Sequence, residues 1–114
     1  MGDTNEDQTV SFVITLTYTV PLPEIEEHLA DHRSWLDEHF QSGDFLASGP
    51  MIPRNGGVIL AKGTSREGLL NLIRNDPFFR AGLARYEITA FEPTRGPMAC
   101  RLLGHAGQIP DPWY

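Results

Sequence analysis

The chain has a single cysteine, Cys100, and a lone thiol can form neither an intrachain disulfide nor a cysteine-based zinc site. Cations are scarce too. Nine Lys and Arg stand against 15 Asp and Glu, a net charge of −6. The arginines Arg33, Arg54, Arg80 and Arg85 are scattered rather than gathered into a patch. This balance argues against nucleic acid or an anionic membrane surface as a partner. No apolar run is long enough to span a bilayer, and the opening MGDTNEDQTV lacks both a basic n-region and an apolar h-region. The expectation is therefore no signal peptide, no membrane helix and, by default, a cytoplasmic protein. A phosphate-cradling loop is missing, because Gly56-Gly57 lacks the strand-then-helix setting such a loop needs. There is no G-x-S-x-G elbow, no Cys–His pairing of known type, no internal repeat and no low-complexity tract.

What is present suits one small domain. A chain of 114 residues with 40% hydrophobic content can build one core. Residues 1–9 are polar and are expected to be disordered. VSFVITLTYTV, residues 10–20, reads as a strand of β-branched and aromatic residues. Phe12, Ile14, Leu16 and Tyr18 form one apolar face, and Ser11, Val13, Thr15 and Thr17 form a mixed one. Pro23 can open a helix, Glu24, Glu26 and Glu27 suit its positive end, and Gly43 suits its far end, so one helix is expected from Pro23 to about Gln41 or Ser42. A short strand from Asp44 to Ser48 follows. Gly49-Pro50 is expected to end it, and Asn55-Gly56-Gly57 signals a hairpin into a third strand, Gly57 to Gly63. Thr64 or Ser65 caps a second helix with Leu69, Leu72 and Ile73 on its apolar stripe. Asn75-Asp76-Pro77 breaks it, a single turn runs to Gly82, and a last strand alternates from Leu83 to Pro93. The order β-α-β-β-α-β is the split-βαβ, ferredoxin-like pattern, an α+β fold with both helices on one face of a four-stranded antiparallel sheet. The opposite face needs cover, and a second copy of the chain is the simplest cover, which predicts a homodimer. Residues 96–114 form a tail without periodicity, ending in Trp113 and Tyr114.

His32 is out of place by type. At about 100° per residue it shares a helix face with Ile25, Leu29, Leu36 and Phe40, so it should be half-buried and hydrogen-bonded. A core histidine bonded to a backbone carbonyl is the plain reading. The chemical reading is a general acid or base, since imidazole titrates near neutrality. His28 and His32 stand at i, i+4, and His39 lies seven residues past His32, a spacing that brings metal binding into question. The H-E-x-x-H glutamate is replaced by Leu29 and no cysteine is near, so no metal is expected. Asp76, before Pro77, suits a turn whose backbone N–H groups it accepts.

Together these segments resemble the YCII-related (YciI-like) family. The resemblance covers about residues 10–95. It rests on a helical histidine, His32, a glycine eleven residues on, Gly43, a strand ending in Gly49-Pro50-Met51, and a later Asp76-Pro77-Phe78 followed by Ala81-Gly82. The resemblance implies a dimeric α+β barrel with a His–Asp pair in a pocket, His32 as acid/base and Asp76 as its partner. Gly49, Pro50, Met51 and Phe78 are then the expected substrate contacts. The family often carries an arginine three residues before the histidine, where this chain has Leu29. The expected function is a small enzyme moving protons in isomerisation, elimination or lactonisation of a small organic acid, with no organic cofactor. The alternatives are a non-catalytic ligand-binding or regulatory module and a cofactor-free monooxygenase of the same barrel type.

Overall fold

The computed structural model describes residues 10–99 and 102. The expected disorder of residues 1–9 and the aromatics Trp113 and Tyr114 lie outside the described residues. The elements run β1 (Val10–Tyr18), α1 (Leu22–Glu27), α2 (Leu29–Ser42), β2 (Phe45–Pro50), β3 (Gly56–Gly63), α3 (Arg66–Ile73), α4 (Pro77–Arg80) and β4 (Ala84–Phe91). The four strands form one antiparallel sheet in the order β2-β3-β1-β4, which is the ferredoxin-like α+β arrangement. Among the described residues no helix is long and apolar enough to cross a membrane.

β1 is central, and its alternation divides the molecule. Phe12, Ile14 and Leu16 point into the core, where they meet Ile25, Trp35, Leu36, Ile59, Ile73 and Phe78. Fully burying one such side chain stabilises the fold by about 1.5–3 kcal/mol. Cross-strand pairing carries the same face onto the neighbours: Ile14 stands opposite Ile59 on β3 and Ile88 on β4, and Leu16 opposite Gly57 and Tyr86. Ser11, Val13, Thr15 and Thr17 occupy the other face.

Three expectations are corrected. The single helix from Pro23 is two, broken at His28, whose backbone lies at φ −107°, ψ 5°. The cause is local. The His28 N–H donates to the Ile25 carbonyl at 3.0 Å, and the ring Nδ1 donates to the Glu24 carbonyl at 3.2 Å. The side chain thus serves the acceptor that an uninterrupted helix would give to the backbone. Second, β2 does not stop at Ser48 but continues through Gly49 to Pro50, which stands opposite Gly57. β2 is an edge strand, so a residue without an N–H can sit there on the unpaired side. Third, β3 begins at Gly56 rather than Gly57. Gly56 has to be glycine, because a Cβ there would overlap the Leu16 carbonyl on β1.

The helix boundaries follow the side chains named in the sequence. Gly43 closes α2 in the left-handed region at φ 88°. Ser65 caps α3 by accepting from the Gly68 N–H at 3.0 Å. Trp35 was not on the expected stripe, yet it is buried and its Nε1 donates to the Leu72 carbonyl at 3.1 Å, tying α2 to α3. Part of the tail folds back: Ala99 is buried, and the Ser11 hydroxyl donates to the Leu102 carbonyl at 2.8 Å.

Candidate functional site

α4 brings Asp76 to His32. The chain leaves α3 at Ile73, and the Asp76 N–H donates to the Ile73 carbonyl at 2.9 Å. Pro77 then starts α4, with Asp76 as its N-cap. The cap holds the carboxylate with Oδ1 3.0 Å from the Phe78 N–H. That same oxygen lies 2.8 Å from His32 Nδ1. The turn-forming and the histidine-pairing readings of Asp76 therefore both hold, on one oxygen atom. The remaining oxygen, Oδ2, accepts from the Tyr86 hydroxyl on β4. The carboxylate is fully buried, and three donors from three elements hold it in place.

This network fixes the imidazole. A carboxylate can only accept when ionised, so Nδ1 carries the proton and, in the neutral ring, Nε2 carries the lone pair. Phe78 stacks on the ring, with centroids 4.0 Å apart and planes 6° from parallel, and Trp35 lies 5.7 Å away. Among the described residues no buried side-chain nitrogen or oxygen is left without a hydrogen-bond partner. Burial pushes the Tyr86 hydroxyl well above its ordinary ionisation range, and the adjacent Asp76 charge and hydrogen bond push it further the same way. Tyr86 is thus a neutral, permanent donor to Asp76.

His32 forms part of the wall of a cavity of about 730 Å³ between α1–α2 and the sheet. Leu16, Leu29, Leu36, Phe40, Ile59 and Phe78 make its surface largely apolar. Ser48, Gly49 and Pro50 of β2 close one side. The charged members are Glu26, Arg33, Asp37 and Arg54, and Arg54 reaches from the β2–β3 hairpin to Glu26 at 3.7 Å. Of the expected contacts, His32, Gly49, Pro50 and Phe78 line the cavity. Met51 does not; its N–H donates to the Gly56 carbonyl at 2.9 Å and closes the hairpin. Asp76 does not reach the cavity either and lies behind the imidazole.

Tyr86 was the member that sequence reasoning missed. On β4 it takes a place in the inward-facing half of the strand's alternation, half-buried between the exposed Arg85 and Glu87. The available signal was its hydroxyl, which must find a partner when buried. His28, His32 and His39 do not converge on a common point. His28 Nδ1 is taken by the Glu24 carbonyl, His39 Nδ1 stands 3.6 Å from Asp44, and among the described residues no three His, Cys, Asp or Glu side chains are grouped to hold an ion.

Fold and site together define a ferredoxin-like α+β domain with a cavity backed by a buried Tyr–Asp–His chain. The model of the YCII-related domain matches residues 9–92, and the chain belongs to that family. No curated protein matches it in sequence. Among solved structures it is similar to 5-chloro-2-hydroxyhydroquinone dehydrochlorinase (TftG) from Burkholderia phenoliruptrix in complex with 2,5-dihydroxybenzoquinone, with a TM-score of 0.62 and 17% identity over 71% of this chain and 92% of that one. It is also similar to SnoaB, a cofactor-independent oxygenase from Streptomyces nogalater, with a TM-score of 0.47 and 18% identity over 79% of this chain and 97% of that one. At 17% identity the likeness to the dehydrochlorinase is one of fold.

Proposed function

We propose that the chain is a small cytoplasmic enzyme that moves a proton to or from a small organic acid, in an isomerisation, elimination or lactonisation. His32 is its general acid/base and Asp76 and Tyr86 are positioning residues. The observation that carries this reading is the 2.8 Å contact between His32 Nδ1 and a fully buried Asp76 carboxylate, with the same imidazole on the cavity wall. Asp76 selects the tautomer and stabilises the imidazolium that forms when Nε2 takes a proton. Tyr86 and the Phe78 N–H keep the carboxylate turned toward Nδ1. Such positioned proton transfer contributes about 10²–10⁴-fold in rate, and the chemistry needs no organic cofactor or metal. The name of the similar dehydrochlorinase supplies a starting panel: 2,5-dihydroxybenzoquinone and related hydroxyquinones and cyclic acids.

The proposed unit spans residues 10–95, and its working form is a homodimer. Val13 on the sheet face away from the helices is paired with Leu60 and Thr89, and Phe91 on the same face is 39% exposed. Light scattering at micromolar concentration is expected to give twice the 12.7 kDa chain mass; a monomer refutes this assembly. The acid/base role is tested by incubating the panel in D₂O and following deuterium uptake by NMR. The wild-type protein should exchange at least one compound and His32→Gln none. Equal exchange by the two proteins refutes it, and compounds that bind without exchanging favour a ligand-binding module instead.

A further inference from the structure

Two arginines border the cavity, and they differ. Arg54 already faces Glu26 at 3.7 Å. Arg33 lines the same cavity and has no hydrogen-bond or ion-pair partner among the described residues. Its helical neighbours do not supply one. Leu29 and Leu36, at i−4 and i+3, are apolar, and Asp37, at i+4, lines the cavity without forming an ion pair with Arg33. A guanidinium offers five fixed donors that match a carboxylate in a two-point contact, and here it stands at the edge of an apolar cavity with those donors uncommitted.

Arg33 follows His32 directly, and consecutive helical residues diverge by about 100° around the axis. The two side chains therefore address different parts of one ligand. The group that meets Arg33 is not the group that exchanges a proton with His32. Leu36 and Phe40 fall between them in angle around the helix axis, and with Phe78 they line the cavity, surfaces that suit the face of a flat apolar ring.

We propose that Arg33 is an anion-binding residue of the cavity, and that its ligand is a flat cyclic acid whose carboxylate, or an equally acidic ring oxygen, is separate from the proton-exchanging position held at His32. The proposal rests on the reading of the cavity as a substrate site. Arg33 determines which ligands bind, whereas His32 determines whether bound ligands react. Leu29, one turn before Arg33, leaves that part of the wall apolar, so the cation at this edge of the cavity comes from Arg33.

The test is calorimetric titration of the full chain with matched acids and amides: benzoate and benzamide, salicylate and salicylamide, 4-hydroxybenzoate and 4-hydroxybenzamide. At least one acid is expected to bind about tenfold more tightly than its amide, as a charge-assisted contact provides. Arg33→Gln should bring the two within about twofold, and Arg33→Lys, which keeps the charge but not the fork, should recover part of the difference. Circular dichroism of the exposed-site variants checks that the fold is intact. His32→Gln should keep the acid preference while losing deuterium exchange, which separates this proposal from the acid/base reading. If no acid outbinds its amide, or if Arg33→Gln keeps the preference, the proposal is overturned. If the preference holds and His32→Gln still exchanges protons, only the acid/base reading falls.

Discussion

α2 carries two histidine–aspartate pairs, seven residues or about two turns apart, and both rings touch Trp35. His32 Nδ1 lies 2.8 Å from Asp76, and His39 Nδ1 lies 3.6 Å from Asp44. Asp76 is fully buried and both its oxygens are occupied by donors fixed in α4 and β4. The Asp44 side chain is 44% exposed, and the oxygen nearest His39 already accepts from Ser42 at 2.8 Å. The residue types are the same, so the difference lies in what holds the carboxylate. A loop aspartate with a flexible hydroxyl neighbour makes a solvent-screened contact of little energy. A cap aspartate tied from three sides makes a fixed acceptor whose geometry survives thermal motion.

Asp76→Ala should break that contrast most severely. It removes a helix cap and leaves the His32 and Tyr86 donors buried without an acceptor, which should cost about 3 kcal/mol or more. Urea unfolding should show a lower midpoint with an unchanged slope. Next comes His32→Gln, which keeps a similar size and a hydrogen bond. Deuterium exchange on any accepted compound should fall by about 10²–10⁴-fold, with far less loss of stability than in Asp76→Ala.

Tyr86→Phe sharpens the comparison by removing one support and leaving the pair. It should cost about 1–2 kcal/mol near neutrality, because Asp76 Oδ2 loses its partner. It should also change the alkaline limb. The folded tyrosine is held above its ordinary value of 10.0, whereas the unfolded one ionises near it. Above that pH the unfolded chain binds fewer protons than the folded one, so stability is fully present below about pH 10 and falls as the pH rises further. In urea unfolding from pH 8 to 11, the wild type should lose stability more steeply than Tyr86→Phe. The smallest effect is expected from Asp44→Asn, within about 0.5 kcal/mol and with unchanged exchange activity.

The two pairs also show what the sequence discloses. His32 was legible because helical periodicity places it among Ile25, Leu29 and Leu36, and a polar ring in that company stands out. The order of strands and helices was legible for the same kind of reason, since each element carries its own period and its own stop. Asp76 was half-legible. Its position before Pro77 gives the cap, but 44 residues separate it from His32, and no local pattern fixes which helix a cap will face. That pairing came from the family resemblance. Tyr86 was hidden by its own apolar ring, which satisfies the strand's alternation whether or not its hydroxyl has work to do. The break at His28 was hidden because it depends on a side chain donating to the Glu24 carbonyl, a choice between two donors that composition does not reveal. β2 ran past its expected end because edge position, which makes Pro50 acceptable, is a property of the sheet and not of the segment.

The hydrogen bond from Ser11 to the Leu102 carbonyl, with Ala99 buried beside that end of β1, gives the sheet's outer face a ledge. Ser11 is covered there by the chain's own return, whereas Val13, Thr15 and Thr17 on the same face of β1 are only half-buried. In the proposed homodimer, the part of β1 left for a second copy to cover is therefore Val13, Thr15 and Thr17, and not Ser11.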